Sequence, residues 1–111
     1  VERMPRPRAL ALGARLGRLA YRLLGRSRRT ALRNLRLAFP DLDPAARQAL
    51  ARRCFEHWGK VSLDFLKGPS YDRATLHTLV PLLDGYEENA QPALDAGKGL
   101  VAVTGHVGAF E

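Results

Sequence analysis

The stretch that decides the predicted fold covers residues 97–111 and reads GKGLVAVTGHVGAFE. A run of leucine, valine and alanine lies between glycines and leads to a histidine, His106, on a tight Gly-His-Val-Gly turn. An apolar run of this length between turn residues is typical of a β-strand. We therefore expect a strand over residues 100–104 that ends just before His106, with a carboxylate, Glu111, five positions further on.

The residues before this strand complete the pattern of a parallel crossover unit. Residues 76–83 are aliphatic and β-branched, which predicts a first strand with an edge or bulge at Pro81. After a turn, residues 86–96 predict a helix in which Pro92 marks a kink or a later start. Strand, helix and strand within about 30 residues predict an α/β fold that begins with a β-α-β unit. Ligands bind beyond the carboxyl ends of such strands, where His106 falls.

His106 and Glu111 are the candidate catalytic residues, since a neutral imidazole takes a proton from a hydroxyl while a carboxylate orients the ring. A zinc helix motif needs two histidines four positions apart, and a nucleophile turn needs Gly-x-Ser-x-Gly, so neither fits. The sequence predicts no metal and no bound cofactor. If a helix begins at Gly108, its free N–H groups favour an oxyanion. The alternative is that His106 only hydrogen-bonds in a loop and Glu111 offsets the helix dipole.

Positive charge is concentrated near the amino terminus. Residues 1–36 hold eleven arginines and one acid, a formal charge of +10, whereas residues 37–111 carry −3. Leucines at spacings of four, three and four predict a helix over residues 8–24. Arginines recur along one side of it and beyond it, at Arg15, Arg18, Arg22, Arg26, Arg29, Arg33 and Arg36. This pattern is typical of a solvated face or of an anionic membrane interface. Nucleic acid is disfavoured because Tyr21 is the one aromatic in the stripe.

Two further helices are predicted before residue 70. Residues 25–27 are expected to interrupt the first helix, with Ser27 capping a second over residues 28–38. Asp43 and Pro44 predict the start of a third, because the carboxylate caps and proline suits the first helical position. Gly68 suits a left-handed cap at its end. Its apolar stripe comprises Leu50, Cys54, Trp58, Val61 and Phe65.

The remaining chemical candidates are weak. The single cysteine, Cys54, excludes an intrachain disulfide and is expected to be buried. His57 and His77 are interpreted as packing or surface residues. No apolar stretch reaches about 18 residues, so no transmembrane helix is predicted. Arginines interrupt the apolar region that a signal peptide would need.

Two blocks, in this order, carry a resemblance to a known family. RNLRLAFPD, over residues 33–41, is similar to an Asn-Leu-x-x-x-Phe-Pro segment, and residues 85–111 end in the His-x4-acid motif at His106 and Glu111. Both resemble the bacterial lipid A biosynthesis acyltransferases, the lauroyl and myristoyl transferases. The resemblance covers nearly the whole chain. Ala109 and Phe110 replace the Asn and Trp that are usual in the family, which bears on substrate choice.

The resemblance implies a glycerolipid-acyltransferase-like α/β fold on the cytoplasmic face of the bacterial inner membrane. It implies transfer of a fatty acyl chain from acyl carrier protein or coenzyme A to a hydroxyl of a lipid A precursor, with no cofactor. His106 would be the general base and Glu111 its orienting partner. A related acceptor is another glycolipid, such as a mannosylated phosphoinositide.

These patterns predict two regions, a helical, basic, membrane-interface region over residues 1–70 and the start of an α/β acyltransferase domain over residues 71–111. Since family members are longer and two strands leave an open sheet edge, we expect a truncated chain that is poorly active by itself. The alternative is a non-enzymatic, basic, membrane-associated helical module or an inactive fragment. The predicted partners are an anionic membrane surface, contacted through the arginine-rich amino-terminal helix, the acyl carrier protein or coenzyme A thioester, and the glycolipid acceptor, without nucleic acid.

Overall fold

The computed structural model describes residues 4–79, 85–97, 99–101 and 103. The chain divides into two compact units, Val1–Ser70 and Tyr71–Glu111. The first unit contains helices α1 (Arg6–Leu23), α2 (Gly25–Ala38) and α3 (Pro44–Lys67), followed by a 3-10 turn, Gly68–Ser70. The second contains α4 (Arg73–Leu79), a π-helical turn (Tyr86–Ala90) and α5 (Gln91–Asp95).

The predicted α/β fold is wrong, because the residues that the structure describes include no β-strand. Within the first predicted strand, residues 76–79 belong to α4, and residues 80–83 lie outside the described part. Within the second, Leu100, Val101 and Val103 are described and have no regular structure. No β-α-β unit is therefore present in the described ranges, whose regular elements are all helices or helical turns.

A local cap explains why α4 forms despite its β-branched threonines. The Asp72 carboxylate accepts a hydrogen bond from the Thr75 amide at 2.8 Å, which satisfies a donor that a helix start leaves free. The Thr78 hydroxyl donates to the Ala74 carbonyl at 3.1 Å, one turn earlier. These bonds are local, whereas a strand needs a neighbouring strand for its N–H and C=O groups. The cap therefore outweighs the modest helix propensity of threonine.

The break between α1 and α2 lies at Leu24, whose φ of −88° and ψ of 70° leave the helical region. Its amide still donates to the Ala20 carbonyl at 2.8 Å, which closes α1. Because α2 begins at Gly25 without a side-chain cap, Ser27 lies inside the helix and the predicted cap is wrong. The predicted end of this helix at Ala38 is confirmed.

The start of α3 is confirmed and its predicted end is partly wrong. The Asp43 carboxylate accepts hydrogen bonds from the Ala45 and Ala46 amides at 2.8 and 3.0 Å, and Pro44 takes the first helical position. The helix ends at Lys67, but Gly68 has a right-handed conformation, with φ −40° and ψ −49°, so the left-handed cap is absent. The Ser70 hydroxyl donates to the Lys67 carbonyl at 2.7 Å instead, and the chain continues as a 3-10 turn.

Small residues bring α1 and α3 into backbone contact. Ala9 and Ala51 are completely buried. A Cβ added at Gly13 would lie 2.8 Å from the Lys60 Cα, and one added at Gly17 would lie 2.8 Å from the Glu56 Cα. Since neighbours on α3 come earlier as α1 advances, the two helices run antiparallel. Because glycine has no side chain, Gly13 and Gly17 let the two helix backbones approach this closely.

Side-chain contacts hold α1 and α3 together near both ends of this helix pair. The Tyr21 ring packs edge to face on Phe55, with 5.5 Å between ring centroids, and Tyr21 is 8% exposed. The guanidinium groups of Arg28 and Arg52 each lie 5.6 Å from the centroid of the Tyr21 ring. Such cation–π contacts hold α2 and α3 around the end of α1. Arg6 forms an ion pair with Asp64 at 2.6 Å near the other end.

The helix predicted over residues 86–96 is confirmed, with a change of winding where proline predicts a kink or a later start. The π-helical turn begins after Gly85, whose φ of 79° is left-handed, and the chain becomes α-helical at Gln91. Pro92 occupies the first turn of α5, where its missing N–H has no helical partner to lose.

Candidate functional site

The predicted catalytic pair, His106 and Glu111, lies outside the described residues. Their roles therefore stay predictions. The feature that the first unit does present is an apolar groove between its three helices, and this groove was not predicted from the sequence.

The groove has a volume of about 800 Å³ and an apolar lining from α1 and α3. Leu16, Leu24, Phe55, Trp58 and Leu63 provide its large apolar side chains, and Gly17, Ala20, Ala31 and Gly59 leave the space between them. The contribution of α2 is more polar, because besides Ala31 it comprises Arg26, Ser27, Thr30 and Asn34. A mostly apolar cavity with a few polar groups at its border is the usual form of a ligand-binding site.

Three members of the predicted apolar stripe of α3, Cys54, Trp58 and Phe65, are exposed, whereas Leu50 and Val61 are half-buried. Trp58 is 73% exposed and Phe65 is 60% exposed, whereas Ala51 and Leu63 are buried on the adjacent face. Cys54 is exposed, so its predicted burial is wrong. The physical reason is the close approach of α1 and α3, which only small residues permit. Trp58 and Phe65 are consequently left at the surface.

The leucine stripe of α1 is exposed in the same way. Leu16, Leu19 and Leu23 are 47%, 49% and 71% exposed. Because Ala9, Gly13 and Gly17 face α3, the leucines lie to one side of that contact. The α1 helix thus has a small-residue face toward α3 and a leucine face toward solvent.

Most arginines of α1 and α2 have no carboxylate partner among the described residues. Arg18 is ion-paired with Glu56 at 3.4 Å, and Arg6 with Asp64. No ion pair joins Arg15, Arg22, Arg26, Arg29, Arg33 or Arg36 to the described carboxylates. Residues 1–70 carry sixteen basic and five acidic side chains, a formal charge of +11. The first unit therefore presents an excess of uncompensated positive charge.

Other titratable groups of the described ranges provide no second site. His57 and His77 are exposed, and no cluster of three metal-binding side chains occurs in these ranges. A hydrogen bond from the Thr75 side chain, and next the one from its amide, hold the pKa of Asp72 below its ordinary value of 3.8. Among the described helices, none has the length and apolar character that crossing a bilayer requires.

One sequence signal could have revealed the groove. Ala9, Gly13 and Gly17 recur at intervals of four, so they form one face of α1. Small residues at this spacing let two helix backbones approach closely. With Gly59 in the middle of α3, the pattern indicates a close helix pair whose large apolar residues lie outside the contact.

Comparison with known proteins gives a family and no individual relative. No curated protein and no solved structure matches the sequence significantly. A family model described as bacterial lipid A biosynthesis acyltransferase matches residues 1–111. Since this match extends over every residue of the sequence, the chain belongs to the bacterial lipid A biosynthesis acyltransferase family.

Proposed function

We propose that the protein transfers a fatty acyl chain from an acyl carrier protein or coenzyme A thioester to a hydroxyl of a lipid A precursor or a related glycolipid. The observation that carries this proposal is the family match over residues 1–111, because acyl transfer in lipid A biosynthesis is the family's activity. The sequence also contains a histidine and an acid with four residues between them, His106 and Glu111.

In this proposal His106 acts as the general base. Its neutral imidazole takes the proton of the acceptor hydroxyl while the hydroxyl oxygen attacks the thioester carbonyl carbon. The carbon–sulfur bond then breaks, and the imidazolium returns the proton to the leaving thiolate. Glu111 orients the ring and stabilises the imidazolium. Attack is direct, so no acyl-enzyme forms.

The proposed location is the cytoplasmic face of the bacterial inner membrane, with peripheral attachment. The formal charge of +11 on residues 1–70 and the unpaired arginines of α1 and α2 support it. Each basic side chain near an anionic membrane surface contributes about 1 kcal/mol of attraction. An acceptor that resides in a membrane would meet the protein at that surface.

Acyl transfer is tested with the full protein that the gene encodes. A radiolabelled acyl thioester of acyl carrier protein, or of coenzyme A, is supplied with a lipid A precursor, and the label is followed by chromatography. The proposal predicts label in the lipid and, when the acceptor is omitted, no label bound covalently to the protein. Covalent label would contradict direct attack. No transfer from either donor would favour a non-enzymatic, basic, membrane-associated helical module.

The role of Glu111 is tested by Glu111→Gln in the same assay. An uncharged amide still accepts a hydrogen bond but stabilises the imidazolium less, so we expect a lower rate and a lower apparent pKa of the base in the pH–rate profile. A pH–rate profile identical to that of the unmodified protein would contradict an orienting carboxylate at position 111.

A further inference from the structure

We propose that the first unit inserts one defined apolar surface into an anionic lipid bilayer. This apolar face consists of Leu16, Leu19 and Leu23 from α1, of Leu24 at the break after α1, and of Trp58 and Phe65 from α3. The inference rests on the membrane attachment in the proposed function and adds the surface that makes the contact. It assigns the insertion to both α1 and α3, whereas the sequence suggested an arginine-rich α1 alone.

The members of the apolar face are related through the groove and through their spacing along the helices. Leu16, Leu24 and Trp58 line the same groove. Leu19 and Leu23 follow Leu16 by three and seven positions, and Phe65 follows Trp58 by seven. Residues at these intervals share one face of a helix. We therefore infer that these side chains of α1 and α3 form one surface that extends outward from the groove.

The side chains of the apolar face are accessible for insertion. Leu24 is 52% exposed, Leu23 is 71% exposed and Trp58 is 73% exposed. Contiguous exposed apolar groups of this kind mark an interaction surface on a soluble domain. Tryptophan is moreover the side chain that membrane interfaces favour, because an apolar ring carries one polar N–H.

The charges around the apolar face match an anionic partner. Arg15 precedes Leu19 by four positions, so the two side chains lie within about 40° of each other around α1. Arg22 borders the leucines on the same side, and Arg26 lines the groove itself. None of these three arginines is paired with a carboxylate in the described ranges. Lipid phosphates beside the inserted leucines would supply the missing negative charge, as at interfacial amphipathic helices.

Two other occupants fit the apolar face less well. A second copy of the chain would bring the same unpaired arginines together across a two-fold axis, on units that each carry +11. A single lipid-like molecule would fill the groove but would leave Leu19, Leu23 and Phe65 uncovered, because these side chains lie outside its lining. A bilayer covers the whole face and also provides phosphates.

Trp58 is the one tryptophan of the sequence, so its fluorescence reports on this face alone. The full chain is mixed with vesicles of phosphatidylglycerol and phosphatidylcholine, with and without bromine on the acyl chains, and with phosphatidylcholine vesicles as the neutral control. We expect an emission shift to shorter wavelength and quenching by the brominated chains with the anionic vesicles, and neither change with the neutral ones. Sedimentation of the same samples measures binding independently.

A pair of matched variants tests the composition of the apolar face. Leu19→Ser removes a side chain of the face that is 49% exposed, and Leu76→Ser makes the same change on α4, at a side chain that is 44% exposed. Leu19→Ser is expected to weaken vesicle partitioning about fivefold, and Leu76→Ser to leave it unchanged. Circular dichroism checks that both variants keep their helix content.

The outcomes separate this inference from the proposals on which it rests. Chain that sediments with anionic vesicles while Trp58 remains unquenched would overturn the apolar face and leave arginine-mediated attachment standing. Chain that does not sediment would overturn the attachment and the insertion together, while acyl transfer is measured separately. Trp58 emission at short wavelength before lipid is added would overturn the inference, since protein would already cover the face.

Discussion

Gly59 lies where α3 crosses α1, and a Cβ at this position would overlap the main chain of Gly13. Gly13 and Gly17 meet the backbone of α3 in the same way. Main-chain atoms, unlike the end of a flexible side chain, cannot move aside without shifting a whole helix. At the scale of the residue, the packing of α1 against α3 therefore depends on three glycines, because a side chain at any of them would overlap the other helix.

Gly59→Ala is expected to destabilise the protein by about 2–3 kcal/mol, because the added methyl group forces the two helices apart. Gly68→Ala is the matched control, since Gly68 has a right-handed backbone and nothing within 4 Å of an added Cβ. The control should be neutral or slightly stabilising. Urea denaturation measures both variants. A stability loss in Gly59→Ala no larger than in the control would contradict the close contact.

Asp43 caps α3 with two hydrogen bonds to backbone amides. Asp43→Ala leaves these amides without their partner and is expected to lower the free energy of unfolding by about 1 kcal/mol. Asp43→Ser keeps a capping oxygen and should retain most of that stability. Thermal unfolding followed by circular dichroism gives the comparison, and equal losses in the two variants would argue against capping.

Asp72 makes the start of α4 sensitive to pH. Because its hydrogen bonds with Thr75 lower the pKa in the folded state, the stabilisation is complete above the ordinary value of 3.8. It is lost as the pH falls through the lower, folded pKa. The Thr75 amide resonance should therefore shift in NMR spectra recorded across this acid range. Titration of the Asp72 carboxyl at or above 3.8 would contradict the cap.

At the scale of the element, the helix starts marked by an aspartate or a proline were more predictable than helix faces, although the caps expected from Ser27 and Gly68 are wrong. Asp43, Pro44 and Pro92 act within a few residues of themselves, so their effects can be deduced from sequence. Cys54 was expected to be buried, and Trp58 belongs to the same apolar stripe, yet both are exposed because the core face of α3 is the one that small residues let α1 approach. Which face is buried depends on the partner helix, and sequence periodicity alone does not contain that information.

The predicted strands failed for a related reason. Residues 76–79 have aliphatic and β-branched side chains, which favour a strand. They are helical because Asp72 caps the helix from a few residues away, whereas a strand would need a partner strand from elsewhere in the chain. Val101 and Val103 are 90% and 94% exposed, so burial does not stabilise a strand there. For the candidate site, residue types and their spacing were enough to predict His106 and Glu111 as a catalytic pair. The groove could not be predicted in this way, because it depends on how α1 and α3 pack.

The ion pair between Arg6 and Asp64 is expected to couple α1 to α3 only weakly. Its geometry is favourable, with Nε and Nη2 of Arg6 donating to the carboxylate at 2.9 and 2.6 Å. The side chains are 39% and 24% exposed, so water screens the attraction. A double-mutant cycle with Arg6→Ala and Asp64→Ala should give a coupling free energy of about 0.5–1 kcal/mol that falls with added salt. A coupling insensitive to salt would contradict this account.

At the scale of the whole molecule, charge is divided between the two units. Residues 1–70 carry +11 and residues 71–111 carry −4. Attachment of the first unit to anionic lipid should therefore weaken as salt screens its arginines, since the Debye length falls from about 10 Å at 0.1 M salt to about 3 Å at 1 M. Vesicle sedimentation across this range measures the loss. Binding that does not change with salt would show that charge contributes nothing to attachment.

The central claim, that His106 is the base of an acyltransferase, is tested most directly by comparing three histidine variants in the acyl-transfer assay. His106→Ala should lower the rate about 10²–10⁴-fold, the usual contribution of a general base. His57→Ala and His77→Ala change exposed side chains of α3 and α4 and should leave the rate unchanged. A His106→Ala variant that transfers acyl chains as fast as these two controls would contradict the account.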